Sequence, residues 1–444
     1  MRLLILATLL SCLATGAQPA AAGPETEALA GRILAAITPP GAKISFAAAE
    51  GSQDNLTVRD LVAHGATAGG EEVVQRIGLL RMQGVQELPS GLFRAAKLDA
   101  ENIRIDGAAD LQTAKPGSIQ IASLSATNID GARIGAMTAS GIEISAFAMG
   151  SSYAIRIASA SLNRVDAQSL SRAAVKAQQD PQSERRENAL VSALLNNASY
   201  GAMQLKELSL RRDKTDLLTI AALISEADGQ YAPFPASGKF SIRNASIDLR
   251  DPMTARLKQW LGQDRLQFSL ESHHTFQAPG SHRWDSVLRL SPDAVLAGNC
   301  SAQNLNGFSP ALIRQAQAAS GNSATLRKCD LNFTGTEFVN RWLAQDGAKQ
   351  GLNAEEARAK YLAGTLLVSL DPQTAGDPLA MQLASASQIF LSQPSRLNIQ
   401  LAPPGGLKFP DGFAAIGLLF QGTTEQKQQA MHKLGLNVTA APLN

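Results

Sequence analysis

Two cysteines offer the clearest chemistry in this sequence. Of the three present, Cys12 lies in the N-terminal 22 residues, and Cys300 and Cys329 lie in the body of the chain. An even number of cysteines in an exported protein favours pairing. We therefore predict a Cys300–Cys329 disulfide that joins adjacent strands on either side of a helical segment. Two buried free thiols are the alternative.

Three histidines, His273, His274 and His282, form the one histidine cluster of the sequence. Adjacent residues of a strand point to opposite faces, so His273 and His274 do not readily ligate one metal ion. No Asp or Glu at helical spacing completes a ligand set. We expect a solvated strand edge here and predict neither a metal ion nor a cofactor.

Catalytic motifs are absent from the sequence. It contains no G-x-S-x-G turn, no Ser-x-x-Lys at a convincing helix start, and no glycine-rich loop between a strand and a helix. The carboxylate pairs Asp213 with Asp216 and Glu355 with Glu356 lie in charged stretches that we expect to be exposed, where an acid/base role is disfavoured. We predict a non-enzymatic protein. A hydrolase whose triad is assembled from distant loops stays a third alternative.

The first 22 residues have the pattern of a secretory signal peptide. Arg2 supplies the positive charge, Leu3 to Leu10 the apolar run, and cleavage is predicted between Ala22 and Gly23. The rest of the chain has no apolar run long enough to span a bilayer. These features predict export to a bacterial periplasm. The residues before Cys12 resemble a lipobox, so a lipoprotein anchored at Cys12 is the alternative.

Composition narrows the class of protein further. The 444 residues are 45% apolar and 5% aromatic, with 40 Lys and Arg against 38 Asp and Glu. This apolar content is typical of a globular chain and not of a disordered one. Near-neutral charge excludes the simplest nucleic-acid-binding surface, which is strongly basic.

A six-residue unit recurs where the sequence predicts the first strands. Position one is large and apolar, position three is small or apolar, position five is polar or Gly, and position six is apolar. Positions one and six would lie on opposite faces of a regular strand. We therefore predict a β-bulge near position five, where Asn, Asp and Gly tolerate the required backbone angles. The copies begin at Leu56, Ile77, Leu98, Leu124 and Met137.

The period of the apolar residues divides the chain into regions. We predict a signal peptide at 1–22, an N-terminal strand-repeat region at 23–165, a helical insertion at 166–202, a second strand region with the Cys300–Cys329 bridge at 203–335, and a mostly helical region at 336–444. The fold class is α+β and β-dominated. We expect an elongated, twisted antiparallel sheet of many short strands, with helical insertions and a helical C-terminal third.

Helix starts are well marked in the last third. Asp377-Pro378 has the pattern of an N-cap followed by Pro in the first turn. Asn353 and Glu356 form a pattern that resembles a capping box. The apolar helices from Leu352 to Leu391 are interpreted as a layer packed on the sheet, with a mobile lid over a lipid-sized groove as the alternative.

Units such as Leu98 to Gly107 and Leu124 to Gly131, in a signal-led chain, resemble bacterial envelope proteins of the AsmA-like type. The resemblance covers 42–165 and 203–290 and has unspecific motifs. It implies a long, twisted sheet with an apolar groove and a role in phospholipid movement and outer-membrane homeostasis. This chain departs from the pattern in its cleavable signal and its more helical C-terminal third, and no binding residue carries over.

These observations together predict a non-enzymatic periplasmic protein that binds or shuttles lipid or supports outer-membrane homeostasis. The expected partner is lipid or an envelope protein. A structural, partner-binding scaffold without a small ligand is the alternative. An open apolar groove along the strands would favour lipid carriage, and a filled core would favour the scaffold.

Overall fold

The structure is a computed structural model. It describes residues 25–37, 42–66, 72–88, 93–108, 117–131, 133–148, 150–166, 201–228, 237–277, 281–304, 325–370 and 376–443. The chain divides into two compact units, Met1–Ala227 and Asp228–Asn444, which are described separately.

Unit 1 consists of one helix followed by the strands of an antiparallel sheet. The helix α1 spans Glu25–Ile37. The strands are β1 (Lys43–Ser45), β2 (Ala48–Gly51), β3 (Asn55–Ala66), β4 (Glu72–Gln83), β5 (Gln86–Glu87), β6 (Phe93–Ala108), β7 (Gly117–Asp130), β8 (Arg133–Ala148), β9 (Ser151–Asp166), β10 (Ala202–Arg212) and β11 (Thr215–Asp228).

The strands of unit 1 follow one another as a meander. From β6 to β11 each strand pairs with the next one along the chain. β4 pairs with β3 and β6, and the short β5 adds to β6. β1 and β2 share β3 as their partner, and α1 packs against these three strands through buried residues that include Ile33 and Leu34.

Within single strands of unit 1 the alternation of buried and exposed side chains shifts by one residue, as the six-residue unit predicts. In β3, Leu56 and Val58 are buried before Asp60, and Leu61 and Ala63 are buried after it. Asp60 has a φ of 51°, in the left-handed region. The same conformation occurs at position five of three other copies, at Asn102, Asn128 and Gly141.

The predicted β-bulges do not occur at these four residues. Arg59 pairs with Leu79 and Leu61 pairs with Ile77, so the register of β3 and β4 is the same on both sides of Asp60. The left-handed residue shifts the alternation of buried side chains by one position, and no residue is inserted into the strand pairing. In the copy that begins at Ile77, Arg81 lacks a positive φ.

Small residues lie opposite the left-handed ones. The registers of the flanking residues place a Gly or an Ala across from each left-handed residue within the sheet, which leaves space for the bent backbone. Arg164 and Glu207 extend the series beyond the predicted copies. The opposed pairs are Asp60–Gly78, Asn102–Gly78, Asn102–Ala122, Asn128–Ala96, Asn128–Gly135, Gly141–Ala122, Gly141–Ala158, Arg164–Gly135, Glu207–Ala158 and Glu207–Ala221.

Unit 2 contains eight strands, paired antiparallel, and six α-helices among the described residues. The strands are β12 (Ser237–Asp248), β13 (Arg265–Gln277), β14 (Ser281–Leu290), β15 (Ala294–Gln303), β16 (Thr325–Thr334), β17 (Ser395–Leu401), β18 (Leu407–Lys408) and β19 (Leu436–Pro442). The helices are α2 (Ala255–Leu261), α3 (Thr336–Lys349), α4 (Ala354–Leu370), α5 (Pro378–Ser392), α6 (Phe409–Gln421) and α7 (Thr424–Leu434).

The sheet of unit 2 is also a meander at its start. β12 to β16 pair in chain order, β16 then pairs with both β17 and β18, and β19 pairs with β17. A shift of register occurs in β12 between Ile242 and Ala245, where Asn244 has a φ of 48°. At this position the sheet has the inserted residue of a bulge.

The predicted helix starts have the expected hydrogen bonds. Asp377 caps α5 by accepting from the backbone N–H groups of Leu379 and Ala380. At the start of α4, Asn353 Oδ1 accepts from the N–H of Glu356, and Glu356 Oε2 accepts from the N–H of Asn353. Both predicted patterns are confirmed.

The β-dominated, antiparallel fold with helices in its C-terminal third is confirmed. The strands of unit 1 are longer than the sequence predicts, since β6, β8 and β9 each have 16 residues. A left-handed residue lets one strand continue where the sequence predicts a β-bulge. Most of the helical insertion predicted at 166–202 lies outside the described residues, since only its ends are described, at the end of β9 and the start of β10. The helix expected between the two cysteines also lies outside the described residues.

Candidate functional site

The two cysteines with predicted chemistry lie opposite each other in unit 2. Cys300 of β15 and Cys329 of β16 are register partners, and a disulfide joins them. Both side chains are buried. A buried crosslink in the middle of a sheet fixes the pairing of its two strands. Cys12, Ala22 and Gly23, which carry the predictions of export, lie outside the described residues.

A row of side chains crosses the sheet through this disulfide. His274, Trp284, Cys300, Cys329, Leu401 and Leu436 are successive register partners from β13 to β19. Residues two positions apart in a strand share a face, so Ser272, Ser286 and Leu331 extend the same face. This face is apolar around the cysteines and half-buried beyond them.

The histidines divide between the two faces, as alternation predicts, but the expected strand edge is wrong because β13 and β14 each pair with a strand on both sides. His273 is exposed, whereas His274 and His282 are half-buried on the face of Trp284. The rings of His282 and Trp284 stack with centroids 5.1 Å apart, and those of His274 and His282 meet edge-on at 5.9 Å. Burial, followed by the charge of His274, lowers the pKa of His282 to about 4. Within the described residues no group of three His, Cys, Asp or Glu could hold a metal ion.

The candidate carboxylate pairs have structural contacts. Asp213 accepts from the backbone N–H and the hydroxyl of Ser152, and the backbone contact is the main reason that its pKa is lowered. Asp216 forms an ion pair with Arg211 at 2.7 Å. Glu356 belongs to the cap of α4. These contacts hold turns and helix ends in place.

The helix α5 forms part of a layer on the sheet. It packs against β17 and β19, with Ala384 and Ala386 buried. Its Phe390 ring lies 5.8 Å from the ring of Phe333 in β16. Gln382 Oε1 accepts a hydrogen bond from the N–H of Val438, which ties the helix to the strand. This geometry supports the interpretation of α5 as a packed layer.

The helix α6 presents apolar side chains on two sides. On one side, Ala415 and Leu419 join a buried cluster with Ala430, Met431 and Leu434 of α7. On the other side, Phe413 and Phe420 are 70% and 78% exposed, and Ile416 between them is also exposed. The exposed positions follow i, i+3 and i+7 spacing, so they form one stripe along the helix. We call Phe413, Ile416 and Phe420 the α6 stripe.

A second group of exposed apolar residues lies at the end of α4. Leu366, Leu367 and Leu370 are each more than half exposed. Clusters of exposed apolar side chains commonly mark a site of interaction with a partner or a membrane.

The sequence analysis singled out the helices between Leu352 and Leu391 but did not identify the α6 stripe. The sequence of α6 places apolar residues on every side of the helix, so the spacing of apolar residues does not distinguish its buried face from its exposed face.

No helix among the described parts of the chain has the length and apolar character that crossing a membrane requires.

Comparison with known protein families gives a match that falls inside unit 2. A family model described as "Uncharacterized protein" matches residues 296–441. The matched segment runs from β15 to β19 and contains the disulfide, the α6 stripe and the exposed end of α4. No curated protein and no solved structure matches the chain. The matched family model thus covers the disulfide and both groups of exposed apolar residues.

Proposed function

We propose that this chain is a non-enzymatic protein of the bacterial cell envelope that binds lipid through the helices of unit 2. The observation that carries the proposal is the α6 stripe, where two phenylalanines are at least 70% exposed on a helix with one charged residue, Asp411. The transfer of exposed aromatic and aliphatic side chains from water into the acyl region of a lipid layer is favourable.

The burial in unit 1 favours lipid contact through unit 2. The apolar face of β3 to β9 is buried, with residues such as Val58, Leu80, Met82 and Ile142 at 1% exposure or less. Such a face offers an acyl chain little apolar surface. The helices α4 and α6, by contrast, expose their apolar side chains. The proposal is therefore contact with a lipid surface and not storage of lipid along the strands.

The experiment uses the full chain and vesicles of phosphatidylethanolamine and phosphatidylglycerol. Co-sedimentation measures the bound fraction of the wild type and of the double variant Phe413→Ser/Phe420→Ser. Burial of one Phe contributes about 1.5–3 kcal/mol, and about 1.4 kcal/mol corresponds to tenfold in affinity. The double variant is expected to bind at least about tenfold more weakly.

A matched control separates the stripe from exposed apolar residues in general. Leu443 is 41% exposed just after β19, and Leu443→Ser is expected to bind vesicles like the wild type. Equal binding of the wild type and the double variant would refute the role of the stripe. A wild type that does not sediment with vesicles would refute lipid binding.

The alternative is a scaffold that binds an envelope protein without a small ligand. The filled core of unit 1 favours it, because a buried face is what a structural sheet requires. Phe is also enriched at the cores of protein interfaces. The scaffold alternative would be supported if the wild type does not bind vesicles but crosslinks to one envelope protein through residues of the α6 stripe.

A further inference from the structure

A small cleft lies within unit 2 where the start of α3, the first turns of α4 and the end of α5 meet. Its volume is about 150 Å³. Its walls combine the polar residues Thr336, Asn340 and Arg358 with the apolar Val339 and Phe390. One water occupies about 30 Å³ in the liquid, so the cleft has room for several waters or for one carboxylate or phosphate group.

Arg358 is the charged residue of this cleft. Its Nη2 donates a hydrogen bond to Asn340 Oδ1. Its Nε is shielded from solvent and has no hydrogen-bond partner in the described part of the chain. Among the residues that the structure describes, Arg358 forms no ion pair, whereas other arginines of unit 2, such as Arg250 and Arg341, have a carboxylate within 4.0 Å.

Asn340 adds a second donor beside Arg358. Its Oδ1 accepts from the guanidinium, which orients the amide. Its Nδ2 donates no hydrogen bond to any described residue. A planar guanidinium and an amide N–H₂ group side by side suit an oxyanion, because both supply donors and neither supplies negative charge.

Two other polar side chains near the cleft have partners. Asp293 accepts from the N–H groups of Glu337 and Phe338, which satisfies the start of α3. Ser395 Oγ donates to the carbonyl groups of Ile389 and Gln393. Asp293 and Ser395 therefore do not compete for the donors of Arg358 and Asn340.

We propose that this cleft binds an oxyanion, a phosphate or carboxylate group, through the guanidinium of Arg358 and Asn340 Nδ2. An arginine without an ion pair can donate charge-assisted hydrogen bonds to such a group. The apolar wall at Val339 and Phe390 accommodates a short carbon chain attached to the acid group. A lipid headgroup and a free anion share this chemistry. The cleft is separate from the α6 stripe, so this inference does not rest on the proposed lipid contact.

The first test measures free anions on the full chain. Inorganic phosphate and acetate are titrated at constant ionic strength, and the unfolding temperature is followed. The wild type is expected to gain a few degrees at saturation with at least one of the two anions. Arg358→Gln is expected to gain none. The matched control is Arg341→Gln, on the exposed side of α3, which is expected to respond like the wild type.

The second arm distinguishes the source of the oxyanion. Vesicles with and without phosphatidic acid are compared for the wild type and Arg358→Gln. A headgroup ligand predicts that phosphatidic acid strengthens binding of the wild type at least about fivefold and of the variant not at all. A free ligand predicts the anion-dependent rise in unfolding temperature alone.

A measurement on the wild type keeps the proposal testable if Arg358→Gln does not fold. The Nε–Hε resonance of Arg358, assigned by comparison with Arg358→Lys, is expected to shift on titration with the stabilising anion. No shift of that resonance, or no stabilisation of the wild type by either anion and no preference for phosphatidic acid, would overturn the proposal. Equal stabilisation of the wild type and Arg358→Gln would also overturn it.

Discussion

Asn102 of β6 lies directly opposite Gly78 of β4, and its Cβ is 3.2 Å from the point where a Cβ on Gly78 would lie. Asn102 has a φ of 55°, a region that Asn and Gly adopt far more readily than β-branched residues. The pair shows how unit 1 combines long strands with a change of phase. One residue supplies the unusual backbone angle and its neighbour supplies the space.

The first prediction concerns this backbone angle. Asn102→Val is expected to lower the free energy of unfolding by about 1–3 kcal/mol, since a β-branched residue is strained at positive φ. Asn102→Gly is expected to stay within about 1 kcal/mol of the wild type. Urea unfolding measures both. The control is Asn163→Val, at an exposed position of β9 without a positive φ, which strand propensity makes neutral or stabilising. Equal losses at 102 and 163 would contradict the argument.

The second prediction concerns the disulfide. Cys300→Ala/Cys329→Ala is expected to lose roughly 3 kcal/mol of stability, as the chain-entropy model gives for a loop of about 30 residues. Urea unfolding with and without dithiothreitol measures the loss. Reduction should destabilise the wild type and leave the double variant unchanged. Free thiols at both 300 and 329 in the non-reduced protein would show that the bond does not form in solution.

The third prediction concerns the dependence of stability on pH. The pKa of His282 is about 4 in the folded protein, below the ordinary value of 6.5. The unfolded chain therefore binds more protons between these values, so stability is full above pH 6.5 and falls as the pH drops through about 4. Replacement by Phe keeps the contact with Trp284 and removes the titrating group. His282→Phe should therefore lose less stability in this window than the wild type.

The titration of His282 can be followed directly through its ring proton resonance. A midpoint near 6.5 would mean that His282 is not shielded in solution.

The fourth prediction separates two roles of Asp377. Burial raises the pKa of this carboxyl, but the hydrogen bond from Lys427 Nζ at 2.6 Å and the backbone N–H groups at the start of α5 lower it overall. Asp377→Asn keeps a cap acceptor and removes the charge, whereas Asp377→Ala removes both. Loss of the cap costs about 1 kcal/mol. Asp377→Ala is therefore expected to be about 1 kcal/mol less stable than Asp377→Asn by urea unfolding.

Lys427→Met tests whether the remaining loss belongs to the ion pair. In a double-mutant cycle, the effects of Asp377→Asn and Lys427→Met are expected to be less than additive. Strict additivity would show that the two side chains do not interact in solution.

The sequence predicts local features of the fold well. Asp60, Asn102, Asn128 and Gly141 are recognisable because their residue types tolerate a left-handed backbone and recur in one pattern. Arg164 and Glu207 adopt the same angle without that preference. The signal for these two lies in Gly135, Ala158 and Ala221, the small residues opposite them, and it becomes visible only once the register is known.

Exposure and distant contacts could not be predicted in the same way. Phe413 and Leu419 are both apolar residues of one helix, yet one is 70% and the other 7% exposed. The difference depends on where α7 packs. The cleft at Arg358 is formed by residues from 335 to 395, and the sequence contains no short motif that unites them. Sequence patterns report neighbours along the chain, whereas these features depend on neighbours in space.

The meander of unit 1 also has a consequence for how the protein folds. From β6 to β9 each strand pairs with the next one along the chain, so each new pairing closes a loop no longer than two strands and their connection. Short loops cost little entropy to close, and local pairings speed folding. Each completed hairpin presents an edge to which the following strand adds. The sheet can therefore grow in the order in which a ribosome synthesises its strands, without waiting for the C-terminus.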